Sequence, residues 1–192
     1  DEIEKVIRAR QITAPIEIMK ADGGTMSLDA SRQMPCQTAF SGPAASTMGA
    51  FALTMDDKTS VVVDIGGTTT DLSFILQGEQ LHASKGAKLG GRYTHVKALA
   101  VRSVALGGDS VIRIQDGRIT IGPDRKGDAA CFGGPAPTPT DAFNLLEGRK
   151  LGDPELSYRA MAGLVKDETK VVDLARAVVE EFIDMLCRNI QE

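Results

Sequence analysis

Apolar positions recur along the 192-residue chain with two different spacings, and the switches between them predict its elements. Near the start, Ile3, Val6 and Ile7 share one helical face, so residues 2–10 read as the end of a helix. Ile16 to Ala21 reads as a short strand closed by the turn Asp22-Gly23-Gly24. Ser27 to Met34 then reads as a short helix that Pro35 ends. The run SGPAASTMGAFAL, residues 41–53, predicts a helix of small residues with Ser41 as N-cap and Pro43 in its first turn. A helix with so little bulk lets another backbone or a ligand come close.

Residues 61–65, VVVDI, are almost continuously apolar, as a buried central strand should be. From Ser60 to Lys85 the pattern is strand, turn, strand, turn, strand, which predicts three antiparallel strands with Gln77-Gly78-Glu79 at the second turn. VIRIQDGRITI, residues 111–121, predicts a hairpin around Asp116-Gly117. The proline-rich loop GPAPTPTD ends in an N-cap, Thr140 or Asp141, for a helix through Glu147. Residues 153–164 read as helical. The last helix carries Val171, Leu174, Val178, Phe182, Leu186 and Ile190 down one face.

Composition narrows the function classes. With 42% hydrophobic and 25% charged residues, the composition is that of an ordinary globular protein, and the mixture of helices and strands above makes it α/β. A net charge of -4 provides no basic stripe for nucleic acid, and no apolar run is long enough to span a bilayer. Cys36, Cys131 and Cys187 are far apart and form no C-x-x-C pair, so we expect reduced, mostly buried thiols in a cytoplasmic protein. His82 and His95 are expected to be solvated rather than metal ligands, and Cys131 to be a packed thiol. The chain opens on Asp1 without Met and stops after an amphipathic helix, so it reads as a segment of a longer protein.

The candidate chemistry lies at Asp64-Ile65-Gly66-Gly67-Thr68-Thr69-Thr70-Asp71. A phosphate at a strand-strand turn needs exposed backbone N–H groups, which glycines leave unobstructed, and threonine hydroxyls add donors. A carboxylate ending the first strand, Asp64, suits a hydrated magnesium, while Asp71 opens the second strand and suits orienting a water or holding Thr68. The competing reading is a tight hairpin turn solvated by Asp and Thr. Gly107-Gly108-Asp109-Ser110 is likewise either a glycine-rich ligand loop or a plain β-turn. Ser41-Gly42-Pro43 lines a cleft or merely caps its helix.

The ordered signature from Ser41 to Gly91 resembles the second lobe of the actin, sugar-kinase and chaperone ATPase superfamily. Longer matches resemble one branch, the hydantoinase/oxoprolinase family, in its hydantoinase A-type central domain. They are IMKADGGTMSLDASRQMPCQTAFSGPAAS, DIGGTTTDLS, ALGGDSVIRIQDGRITIGPDRKGDAACFGG and PTPTDAFNLLEGR, which cover most of residues 16–149. The resemblance implies a mixed sheet in an actin-like (ribonuclease H-like) ATPase lobe, with residues 1–40 leading into a lobe of residues 41–192 and a phosphate-loop hairpin at residues 60–85. It implies ATP and magnesium as cofactors and a small cyclic amide, such as 5-oxoproline or a hydantoin, as substrate. ATP phosphorylates the amide oxygen, creating a leaving group that water displaces.

By the same carry-over, Asp64 holds the water shell of magnesium and acts with Asp71 in catalysis. Gly66, Gly67 and Thr68 cradle phosphates with support from Thr70, and Gly107 and Gly108 approach the nucleotide or substrate. The family's first phosphate loop is missing, so the isolated segment is expected to be inactive and to bind nucleotide weakly or not at all without its N-terminal lobe. A second subunit or a homo-oligomer is a further expected partner. One departure stands out: where many relatives carry an Asp and a His spaced as metal ligands, this chain has Ala100 and Arg102. That favours the alternative of a degenerate, regulatory or carboxylase-associated subunit; the other alternative is a non-hydrolytic nucleotide-binding module.

Overall fold

The computed structural model describes residues 2–54 and 57–191. In chain order the N-terminal part forms α1 (Glu2–Ala9), β1 (Glu17–Met19), β2 (Thr25–Ser27), α2 (Leu28–Gln33) and α3 (Ser41–Thr54). Strands β3 (Ser60–Ile65), β4 (Thr70–Leu76), β5 (Glu79–Gln80), β6 (Lys88–Leu89), β7 (Arg92–Tyr93) and β8 (Val101–Val104) follow. The chain continues through β9 (Ser110–Gln115), β10 (Arg118–Arg125), α4 (Pro139–Glu147), α5 (Pro154–Ala162) and α6 (Val171–Gln191). Two compact units result: the described residues of 1–62 and 73–102, and those of 63–72 and 103–192.

In the first unit, β1 and β2 pair antiparallel from Glu17 opposite Ser27 to Met19 opposite Thr25, around the predicted Asp22-Gly23-Gly24 turn. Gly23 has φ +85°, and a Cβ there would lie 2.8 Å from the Met48 sulfur, so both backbone and space demand glycine. Ser27 caps α2 by accepting from the Ala30 N–H at 3.3 Å. Helix α3 starts at Ser41 itself, with the Phe40 carbonyl accepting from Ala44 N–H, so Ser41 is its first residue rather than its cap. Its buried Thr47 hydroxyl shares a 2.7 Å hydrogen bond with Ser73 of β4. Small residues on α3 permit that approach. Leu99 N–H donates to the Ala21 carbonyl at 2.8 Å, which ties the first forty residues to 98–100. The partition therefore differs from the 1–40 and 41–192 division expected from the sequence.

The main sheet has the order β3-β4-β5, with β8 also paired to β4. Two expectations need correction. The third strand stops at Gln80 instead of reaching Lys85, because from Leu81 the chain bonds to residues 98–100 (Ala83 N–H to Ala98, Ala100 N–H to Leu81). The apolar β3 is an end strand in this order, with Val61 36% and Ile65 50% exposed. The buried strand is β4, through Leu72, Ser73 and Ile75.

In the second unit, β9 and β10 form the predicted hairpin, with Asp116 and Gly117 both at positive φ. Its core gathers Leu106, Ile112, Met161, Val171, Val178 and Phe182, and Phe143 meets Phe182 edge-on at 6.1 Å between ring centroids. Of the predicted apolar face of α6, Val171, Leu174, Val178 and Phe182 are buried, together with Ala175, while Leu186 and Ile190 are only partly buried. The cap of α4 is Thr138 rather than Thr140 or Asp141: Pro139 takes the first helical position, and the Asp141 side chain reaches back to the Thr138 N–H. Cys131 is buried, but Cys36 and Cys187 are exposed, against the expectation of mostly buried thiols. Cys36 sits in a 3-10 turn without buried residues, and Cys187 lies off the packed face of α6. Among the described residues, no helix is long and apolar enough to cross a membrane.

Candidate functional site

The eight site residues predicted from the sequence all fall in the second unit. Asp64 stands half-buried near the end of β3, and Gly66 N–H closes the next turn on the Thr69 carbonyl at 2.9 Å. Thr70 is completely buried, with its hydroxyl donating to the Leu106 carbonyl at 2.6 Å. That bond anchors the base of the turn and commits the Thr70 hydroxyl to the protein. Asp71 has its Oδ1 buried without a hydrogen-bond partner. Buried carboxylate oxygens are normally paired, which sets this atom apart.

The second glycine turn locks onto the first. Gly108 N–H donates to Gly66 O at 2.9 Å and Asp109 N–H to Gly67 O at 2.8 Å, while Gly107 N–H is taken by the Ser110 hydroxyl at 2.9 Å. A Cβ on Gly107 would lie 2.6 Å from the Gly67 carbonyl carbon, and one on Gly108 would lie 2.7 Å from the Thr140 hydroxyl. Gly107 is thus a glycine because backbone meets backbone and Gly108 because the Thr140 hydroxyl comes close, and the N–H groups of both are occupied. What stays open is the rim: the N–H groups of Gly67, Thr68 and Thr69 have no acceptor among the described residues. Ile65, Gly66, Gly67, Gly108, Phe143 and Phe182 line part of an adjoining recess of about 290 Å³.

Three residues that sequence reasoning gave no site role, Thr140, Asp141 and Arg125, complete the arrangement. Thr140 donates to the Gly108 carbonyl through both N–H (3.0 Å) and hydroxyl (2.9 Å), holding the second turn from the start of α4. Below it, Asp141 is fully buried. Its Oδ2 accepts from Ala130 N–H, Thr138 N–H and the Thr138 hydroxyl, and its Oδ1 from Cys131 N–H and the Ser157 hydroxyl, all at 2.8–3.0 Å. Burial, followed by the Asp141 charge, pushes the Cys131 thiol above its ordinary pKa, so it stays protonated and inert. Arg125 pairs with Asp109 at 2.8 Å and with Asp128 at 3.0 Å. The Thr-Pro before Asp141 was an available signal for the α4 start; nothing local links residue 109 to 125.

Ala100 and Arg102 fall in the first unit, and His82 Nδ1 lies 3.1 Å from the Gln80 carbonyl. Among the described residues, no group of three or more His, Cys, Asp or Glu side chains is placed to hold a metal ion. Any magnesium here would be held through water and phosphate oxygens, the mode expected for Asp64.

The family model for hydantoinase/oxoprolinase matches residues 1–192. Over 182 residues the chain is 28% identical to 5-oxoprolinase of Saccharomyces cerevisiae, which covers 91% of this chain and 14% of that protein. A nucleotide-free structure of acetone carboxylase, described as carrying out ATP-dependent acetone carboxylation, superposes with a TM-score of 0.79 at 26% identity, over 96% of this chain and 28% of that one. The ATP-dependent caprolactamase of Pseudomonas jessenii shares the fold, with a TM-score of 0.60 at 19% identity over 94% of this chain and 30% of its own. The chain therefore spans less than a third of each of these proteins. Antiparallel strands flanked by helices give the α/β class expected from the sequence, consistent with an actin-like lobe. With the family's model matching from end to end, the chain belongs to the hydantoinase/oxoprolinase family.

Proposed function

We propose that the whole protein is an ATP-dependent amidohydrolase that opens a small cyclic amide, and that this chain contributes the second of its two phosphate-binding turns. One observation carries the reading. Among the described residues, the Gly66–Thr69 turn keeps three backbone N–H groups without acceptors, and Asp71, two residues on, buries an unpaired carboxylate oxygen. An unsatisfied buried polar atom costs about 1–3 kcal/mol, so the free chain holds a deficit that a ligand relieves. The donors suit phosphate oxygens, and the carboxylate suits a hydrated cation or a water.

Bound magnesium-ATP supplies a phosphoryl group that makes the amide oxygen a leaving group. The chain's own residues hold and orient. Gly67, Thr68 and Thr69 N–H groups and the Thr68 hydroxyl donate to phosphate oxygens. The N–H groups of Gly108 and Asp109 clamp the Gly66 and Gly67 carbonyls, so the N–H groups on the rim are fixed before the ligand arrives. Asp64 is assigned to the water shell of magnesium, and Asp71 to a water or a metal-bound water at its open Oδ1. The first phosphate turn, the amide-binding residues and any second subunit belong to sequence outside this segment.

The test is ATP hydrolysis by the full-length protein with and without 5-oxoproline or hydantoin. Substrate-stimulated turnover that is lost in Asp64→Asn and Asp71→Asn is the expected result. Unaltered turnover in both variants would remove these carboxylates from the mechanism. A carboxylase subunit is the second reading, favoured by Ala100 and Arg102 and by the closer superposition on the carboxylase. Bicarbonate-dependent ATP hydrolysis with a ketone, and none with cyclic amides, would select it.

A further inference from the structure

Arg125 stands at the edge of the first glycine turn, where the sequence offers no reason to expect a cation. A Cβ built on Gly67 would lie 3.9 Å from its Nη2 and would collide with Oδ2 of Asp109. That carboxylate oxygen accepts from Arg125 through both Nε (3.2 Å) and Nη2 (2.8 Å), so a single oxygen takes two of the five guanidinium donors. Nη2 also reaches Asp128, whereas Nη1 has no partner among the described residues. The Asp109 side chain is 17% exposed, lying over the bare Gly67, and Asp109 N–H is fastened to the Gly67 carbonyl. A carboxylate thus already occupies the side-chain-free face of the turn, with an arginine as its counter-ion.

Two negative groups cannot share that place. An incoming phosphate would meet Asp109 at close range, and Arg125 is already balanced by two acids, Asp109 and Asp128. We propose that Arg125 is a phosphate ligand of this site and that the Asp109 carboxylate is its resident stand-in, displaced when a phosphate oxyanion binds the Gly67 turn. The inference rests on the phosphate-binding reading above. It adds the positive charge that backbone donors lack. Guanidinium matches a phosphate face bidentately, and Nη1 is available for the second bond. Asp109 keeps its backbone bond to Gly67 after its side chain leaves, so the exchange does not require the two turns to separate.

The experiment is calorimetric titration of magnesium-ATP into full-length wild-type protein and its Asp109→Asn, Arg125→Gln and Arg125→Lys variants, with thermal melts to confirm folding. Removing the competitor should tighten binding: Asp109→Asn by about two- to fivefold, the equivalent of one exposed ion pair. Removing the ligand should weaken it: Arg125→Gln by about tenfold or more, as for a lost charge-assisted bond. Arg125→Lys should fall between, and Arg125→Gln should also flatten the salt dependence of binding. A merely structural ion pair predicts shifts of the same sign in Asp109→Asn and Arg125→Gln. Equal signs, or no change in either variant, overturns the proposal while wild-type binding keeps the phosphate-site reading intact. If neither wild type nor Asp109→Asn binds magnesium-ATP, both readings fall together.

Discussion

Asp141 should be among the most costly residues in the second unit to replace, and the cost can be worked from its partners. Its carboxylate is fully buried and accepts five hydrogen bonds. Two come from hydroxyls, Thr138 and Ser157, which can rotate toward other acceptors. Three come from the N–H groups of Ala130, Cys131 and Thr138, which cannot. In Asp141→Ala each of those N–H groups is left buried, at about 1–3 kcal/mol apiece before relaxation. A water entering the vacated carboxylate volume satisfies part of the set, so we expect a net loss of about 3–5 kcal/mol, against a total stability of about 5–15 kcal/mol for a typical domain.

Asp141→Asn separates hydrogen-bond satisfaction from shape. With its amide nitrogen at the Oδ1 position, it keeps the three Oδ2 bonds and can donate to the Ser157 oxygen, leaving Cys131 N–H facing another donor. The expected loss is about 1–3 kcal/mol, smaller than for alanine. Urea denaturation followed by circular dichroism measures both. Loss below about 1 kcal/mol for Asp141→Ala, or an asparagine as damaging as the alanine, would refute the network as the source of stability. The effect should also reach the candidate site, because Thr140, next in sequence, holds the Gly108 carbonyl at two points.

Other expected outcomes follow from the same geometry. Gly107→Ala places a Cβ 2.6 Å from the Gly67 carbonyl carbon and should destabilise by about 1–3 kcal/mol and weaken nucleotide binding, whereas Gly49→Ala, in open space on α3, should stabilise by up to about 1 kcal/mol in the same denaturation assay. Asp71→Asn should raise the melting temperature of the ligand-free protein while abolishing the rise caused by magnesium-ATP, because it removes a charge with an unpaired buried oxygen. Burial pushes the Asp22 carboxyl up, but the Gly24 N–H and the charges of Lys20 and Lys97 outweigh it and hold its pKa below the usual value. Its contribution is therefore present above about pH 4 and lost as pH falls through the lower folded value, so the stability gap between wild type and Asp22→Asn should hold from about pH 6 to about pH 4 and close only as pH falls further. In native protein, Cys36 and Cys187 should react quickly with a thiol reagent at pH 8 and Cys131 only after denaturation; three fast thiols would contradict its burial and raised pKa.

What could be read from the sequence was whatever short-range chemistry decides. The Asp116-Gly117 turn, the Ser27 cap, the start of α5 after Asp153 and the packed face of α6 each depend on residues within a few positions. The start of α4 was legible too, since Pro favours the first helical position and so points to Thr138. Burial of β3 was not: an apolar run shows that a strand can be covered on both faces, and only the sheet order shows that β4 is the covered one. The glycines mark the same limit within the site. Gly-Gly suggested room for phosphate at both turns, yet a side chain at Gly107 would strike the Gly67 backbone, and one at Gly67 would strike Asp109, 42 positions later. Bare glycine is thus demanded here by the protein's own long-range contacts and does not by itself argue for a ligand. Among the described residues, what those contacts leave over speaks for a ligand more strongly: three N–H groups, one buried carboxylate oxygen at Asp71 and the unpartnered Nη1 of Arg125.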